Sequence, residues 1–281
     1  MYLISKIWLG YGLISVFFSA ILVIIISTSR LFTKSFYRLI TVHLVIVILS
    51  WINSWPTRIV WTEDAPYFAK ALYNHSPRVF SSFMLMGIAF CHIQSWSAIV
   101  ICINKLRTAN PEKYEERNKF WNHWFLLIYG VIIGLSLLAA NYLAIAPTVR
   151  FYEETGKFGY VIWNLGDGIM NIFFVVVFLG LYILISLIIG LIAICKIRKH
   201  HDGDFNHSSM VTLIQIFLRV FCLTLLLGSF FLQIEDFTVE MMFTIFDFMT
   251  FSLTYILLLY DENVRAALKY SFSSGCEDNG E

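Results

Sequence analysis

Long apolar runs separated by short polar stretches fill the chain almost from end to end. Seven of them, at 7–29, 39–57, 79–103, 122–146, 169–195, 210–234 and 241–260, approach or exceed the roughly 20 residues that a helix needs to cross about 30 Å of hydrocarbon. Inside a bilayer every peptide group must find its partner within the spanning segment or a closed barrel, so runs of this kind predict helices. Six of the eight Trp (Trp8, Trp55, Trp61, Trp121, Trp124 and Trp163) fall near segment ends, where interfacial rings belong. The first run is too long for a signal-peptide core and no small-residue cleavage site follows it, so it reads as a retained span behind a tail of about six residues. With no internal repeat, residues 1–281 read as one all-α, seven-transmembrane domain ending in a short tail over 261–281.

Composition supports the bilayer as solvent. The 281 residues are 58% hydrophobic and only 14% charged, against about 25% charged in soluble domains. A net charge of +1 argues against a nucleic-acid partner, since polyanion binding needs a basic surface. Five scattered Cys show neither a disulfide framework nor zinc-ligand spacing. The loops sort their charge by side. Thirteen Lys and Arg fall in 30–38, 104–121, 196–209 and the C-terminal tail, and six on the opposite side, with Arg219 inside a span. That excess predicts a multi-pass plasma-membrane protein with its N-terminus outside and its C-terminus in the cytosol.

Short strings then narrow the class. Ser35-Phe36-Tyr37-Arg38-Leu39 opens the second span and Trp51-Ile52-Asn53-Ser54-Trp55 closes it. The third carries Cys91-His92-Ile93-Gln94 and ends in Ile103-Asn104-Lys105-Leu106, and Lys113-Tyr114-Glu115 with Lys119-Phe120-Trp121 leads into the fourth. In this order and spacing, covering about residues 30 to 160, they resemble the nematode serpentine receptor class gamma, a family of chemoreceptor-like seven-helix proteins. The resemblance implies a sensory, G-protein-coupled receptor. Lys105 stands where that family tends to have Arg, which keeps the charge but not the planar fork. The Asp-Arg-Tyr and Asn-Pro-x-x-Tyr signatures of rhodopsin-like receptors are absent, and loop 147–168 has no Cys.

Polar groups within the spans are costly in lipid and serve either as interhelical bonds or as functional sites. They are His43, Asn53, His92, Gln94, Asn141, Asn171, Gln215, Arg219, Gln233 and Asp247. Arg219 and Asp247 lie at different depths. Side chains lean toward their own helix N-terminus, so the two lean apart. Arg219 is therefore expected to snorkel to the cytosolic face. Asp247, with no basic residue in the outer halves of the helices to meet it, becomes a counter-ion or acceptor for a ligand. Trp51, Asn53, Trp55, His92, Asn171 and Asp247 form the expected small-molecule pocket, mostly apolar with a few polar groups. Lys105, Arg107, Lys196, Arg198 and Arg265 are candidates for coupling to a heterotrimeric G protein, or plain positive-inside anchors.

Other features have two readings. Lys199-His200-His201-Asp202-Gly203-Asp204 with His207 reads as a solvated loop rather than a metal site. Gly130 and Gly134 suit close helix contact, within the bundle or between copies. Val264, Leu268 and Phe272 give the tail an amphipathic stripe, and Cys276 beyond it is a candidate for palmitoylation. No GxSxG, HExxH or P-loop is present, so neither an enzyme nor a cofactor is implied. The rival class is a transporter or ligand-gated channel subunit, which would show facing ionisable groups at the midplane or an inside N-terminus.

The orientation yields a direct expectation. Asn74-His75-Ser76 is an outer glycosylation acceptor, whereas Asn206-His207-Ser208 lies inside and stays unmodified. Tags on both termini, probed with and without permeabilisation, should expose only the N-terminal one in intact cells. A C-terminal tag stained in intact cells would reverse the assignment.

Overall fold

The computed structural model describes residues 3–60, 66–76, 78–108, 114–143, 148–161, 165–199, 207–232 and 235–277. Seven long helices form the bundle, namely α1 (Leu3–Thr28), α2 (Ser35–Val60), α4 (Arg78–Thr108), α5 (Tyr114–Leu143), α6 (Leu165–Lys199), α7 (His207–Leu232) and α8 (Glu235–Tyr260). Between α2 and α4 lies a short helix α3 (Tyr67–His75), and α9 (Glu262–Glu277) follows α8. Among the described residues, six of the seven bundle helices are long and apolar enough to span a membrane, and α6 contributes the apolar stretch Val176–Ile192. The all-α, seven-helix architecture is the one the hydrophobic pattern predicts.

Two elements lay beyond the sequence reading. Loop 147–168 holds an antiparallel hairpin, β1 (Thr148–Tyr152) against β2 (Lys157–Val161), whose turn uses Gly156 at φ 67. A left-handed φ of this kind suits Gly, which has no Cβ to clash. Val149 and Phe158 pack with Ala69 of α3 and Phe80 of α4 into a small apolar cluster. Lys70 lies over the Phe151 ring at 5.1 Å. Together α3 and the hairpin cover one end of the bundle, the hairpin end. At the opposite, basic end, α4 finishes with Lys105 and Arg107 and α9 begins.

Within the bundle α4 is central, packing on α2, α5, α6 and α7, while α1 closes the ring against α2 and α8. Apolar burial cannot by itself drive helices together in lipid, so packing and interhelical hydrogen bonds decide their arrangement. Ser15 bonds Tyr255 (2.7 Å) and Ser19 bonds Thr254 (2.7 Å), tying α1 to α8. His43 Nδ1, Ser97 and the Tyr129 hydroxyl form a chain of 2.8 and 2.6 Å steps linking α2, α4 and α5. Bonds of this type contribute about 0.6 kcal/mol each, up to about 1.7. Gly130 and Gly134 point away from the bundle, with nothing within 4 Å of where a Cβ would stand, so this pair makes no contact inside it. Trp8, read from sequence as interfacial, is buried.

Close approach of α1 and α2 depends on Gly12, where a Cβ would fall 2.3 Å from the buried Trp51 indole. Gly12→Ala should therefore lower stability by about 1–3 kcal/mol through overpacking. Gly10→Ala, with open space around it, should match or exceed wild type through helix propensity. Thermal unfolding of the solubilised protein checks both, and equal midpoints for the two variants would refute the close contact.

Candidate functional site

The hydrophobic run ends at 57, but the α2 backbone stays helical to Val60, and that difference places Arg58 on a helix instead of in a loop. Side chains lean toward their helix N-terminus. For α2 this aims Arg58 back into the bundle from the hairpin end, and for α8 it aims Asp247 up to meet it. The two form a bidentate pair, Nη1 to Oδ2 at 2.9 Å and Nη2 to Oδ1 at 2.5 Å, with side chains only 1% and 3% exposed. The expectation that no basic residue reaches Asp247 is thus corrected. Its failure lay in the helix limit, not in the lean of the side chains.

The pair is enclosed by aromatic rings. The Arg58 guanidinium carbon lies 4.9 Å from the Phe243 centroid, 5.1 Å from Trp8 and 5.5 Å from Trp55. Arg58 Nε donates to Ser54 Oγ at 3.1 Å, and Trp8 Nε1 donates to Thr244 Oγ1 at 3.0 Å. Planar Arg is suited to bonding a carboxylate with its edge and stacking its faces on rings. Removing one partner of such a pair costs about 3–5 kcal/mol, because the other charge stays buried and uncompensated.

Of the residues expected to line a pocket, Trp51, Trp55 and Asp247 come together around this pair. Trp51 and Trp55 meet edge to face at 5.6 Å, and Trp51 also packs near Phe251. The indole N–H groups of both have no hydrogen-bond partner among the described residues. Asn53 turns away and donates to the Phe83 carbonyl of α4 at 3.0 Å. His92 joins a different cluster, bonding the Tyr182 hydroxyl of α6 at 2.8 Å and meeting Phe178 edge to face. The side chain of Asn171 lies outside the described residues. Sequence reasoning missed Arg58, Trp8, Phe243 and Tyr182. The one available signal for Arg58 was its place just past a segment end with a two-to-four-residue boundary error.

A polar seam continues downward from Asp247. One turn along α8, Thr250 donates to Gln94 Oε1 of α4 at 3.3 Å. The next residue of α4, Ser95, accepts from Arg219 Nη2 at 3.3 Å. Arg219 is therefore buried in the bundle rather than snorkelling to the basic end, a second correction.

At the basic end, the buried Asp261 caps α9 by accepting from the Val264 N–H and also accepts from the Tyr37 hydroxyl of α2. Asn104 donates to Ser35 Oγ at 3.0 Å, and the Ser35 N–H donates to Asn118 Oδ1 at 2.8 Å. Lys105 places its ammonium 5.2 Å from the Phe36 ring centroid. Arg107 and Arg265 are exposed, with Arg117 donating to the Arg107 carbonyl and Arg265 loosely paired with Glu262 at 3.9 Å. The side chains of Lys196, Arg198, Phe272 and Cys276 lie outside the described residues, as does the stretch 200–206 with Asn206 and most of the His-rich string. Val264 of the tail stripe is buried and Leu268 packs against the core. Asn74 is exposed at the end of α3. No cluster of three or more metal-ligating side chains occurs among the described residues.

The serpentine receptor class gamma-53 of Caenorhabditis elegans is 33% identical over 273 residues, covering 95% of this chain and 91% of that protein. Serpentine receptor class gamma-47 of the same organism is 26% identical over 91% of this chain and 86% of its own length. The Srg family chemoreceptor model matches residues 5–268, which takes in all seven spans, the Arg58–Asp247 pair and the start of α9. The chain belongs to the Srg family of serpentine chemoreceptors, seven-transmembrane membrane receptors rather than a family of enzymes.

Proposed function

We propose that this chemoreceptor binds a small molecule at the hairpin end of its bundle and signals to a heterotrimeric G protein at its basic end. The observation that carries the reading is the Arg58–Asp247 pair, a concentrated polar group in an aromatic enclosure shared by α1, α2 and α8. Ligand sites are mostly apolar with a few convergent polar groups, and the unpartnered Trp55 N–H adds a donor there. A ligand that favours one arrangement of α2 against α8 would shift a two-state bundle in proportion to its differential affinity. The basic excess on the other loops supports a plasma-membrane orientation with the N-terminus outside and the C-terminus in the cytosol. Lys105, Arg107, Lys196, Arg198 and Arg265 are then the coupling candidates.

A panel of small secreted molecules applied to transfected cells, with a second-messenger readout, identifies the agonist. Asp247→Asn should reduce surface level, since Arg58 would be left without its counter-charge. The reciprocal exchange Arg58→Asp with Asp247→Arg should restore the level while lowering agonist potency by about tenfold or more, equivalent to about 1.4 kcal/mol. Wild-type potency in the well-expressed exchange variant would remove the pair from ligand recognition.

Coupling is tested separately by reversing charge at Lys105 and Arg107 together. Response should be lost while agonist binding and surface level persist. Unchanged signalling at normal surface level would exclude these two residues from the G-protein contact.

A further inference from the structure

Arg219 sits about midway along α7, 5% exposed, and among the described residues its guanidinium makes one hydrogen bond, to Ser95 Oγ. No carboxylate among those residues lies within ion-pair distance of it. Arg stays protonated in proteins, so it cannot shed this charge as a buried Lys or His can. A buried charge in apolar surroundings calls for a counter-charge, and the described residues supply none.

Beside the guanidinium is a small cavity with room for about one water-sized occupant. Its walls are Ala98, Ile99 and Cys102 of α4, Ser186 and Ile189 of α6, and Gln215 and Ile216 of α7. Gln215, 2% exposed, lines the same space, and its Oε1 has no partner. Turning this amide about its last torsion would present its NH2 to the cavity as a further donor, and the Ser186 hydroxyl offers another. The geometry points to a small-anion site at Arg219, held by the guanidinium and the Gln215 amide at the junction of α4, α6 and α7. Water would fill the space but leave the charge unbalanced. A chloride ion, or the carboxylate end of a larger molecule, fills it and balances the charge.

An anion here would join three helices through one centre, independently of the Arg58–Asp247 site. The test needs no agonist. Purified protein in sodium isethionate, whose tetrahedral sulfonate head is bulkier than chloride or a carboxylate, is titrated at constant ionic strength with chloride in one arm and butyrate in the other. Tryptophan fluorescence then follows thermal unfolding. Saturable stabilisation by a few degrees in chloride identifies a resident halide, and stabilisation by butyrate alone identifies a carboxylate site. No stabilisation in either arm overturns the proposal. Arg219→Gln and the cavity-filling Ala98→Val should each abolish the increment, and an undiminished increment in either variant refutes the location. Crystals of the wild-type protein grown in bromide decide the location without any variant. An anomalous peak beside Arg219 supports it, and for a protein that chloride stabilises, bromide peaks only elsewhere overturn it.

Discussion

Lipid offers no hydration to a polar side chain, so a buried charge in this bundle is costly unless a counter-charge meets it. That constraint explains the most specific contact in the receptor. Arg58 and Asp247 lie 189 positions apart in the chain, yet their bidentate contact fixes the depth and rotation of α2 relative to α8. Two parallel bonds restrict orientation as well as distance. The aromatic enclosure of Trp8, Trp55 and Phe243 adds α1 to the same contact and keeps water from competing for the charges. A pair of this kind contributes little net stability relative to an apolar one of the same shape, whereas its loss on one side is expensive. It therefore acts more as a specification of geometry than as a source of stability.

The same constraint recurs in weaker form throughout the core. Hydroxyl and imidazole groups meet at several helix junctions, as in Ser15–Tyr255 between α1 and α8 and His43–Ser97–Tyr129 across α2, α4 and α5. Small residues allow those approaches, most plainly at Gly12 under Trp51. At the basic end Asp261 and Tyr37 hold the start of α9 against α2, which ties the end of the last span to the bundle. A rearrangement at the hairpin end thus has a continuous packed route to the basic loops. Thr250–Gln94 and Ser95–Arg219 lie along it. Spatial continuity permits such coupling, and coupling energies measured in double mutants would establish it.

The sequence by itself determined the seven-span architecture, because hydropathy is summed over about 20 residues and survives errors of a few positions at either end. The ordered strings from Ser35 to Trp121 were enough to suggest the class gamma family, since they preserve spacing as well as residue type. The α2 boundary was less secure, and a shift of three residues changed Arg58 from a loop cation to the partner of Asp247. The β1–β2 hairpin and α3 were also illegible, being short elements stabilised by packing on each other around Phe158 and Ala69. Tertiary structure alone could decide which polar residues meet, because partnership depends on the relative rotation and depth of helices remote in sequence. Asn53 and His92, grouped with Asp247 by composition, turn to α4 and α6 instead. Arg219 shows the same limit. Its position on α7 was evident from the sequence, but whether a long cation reaches the membrane surface or ends beside Ser95 is decided by the neighbouring helices that close over it.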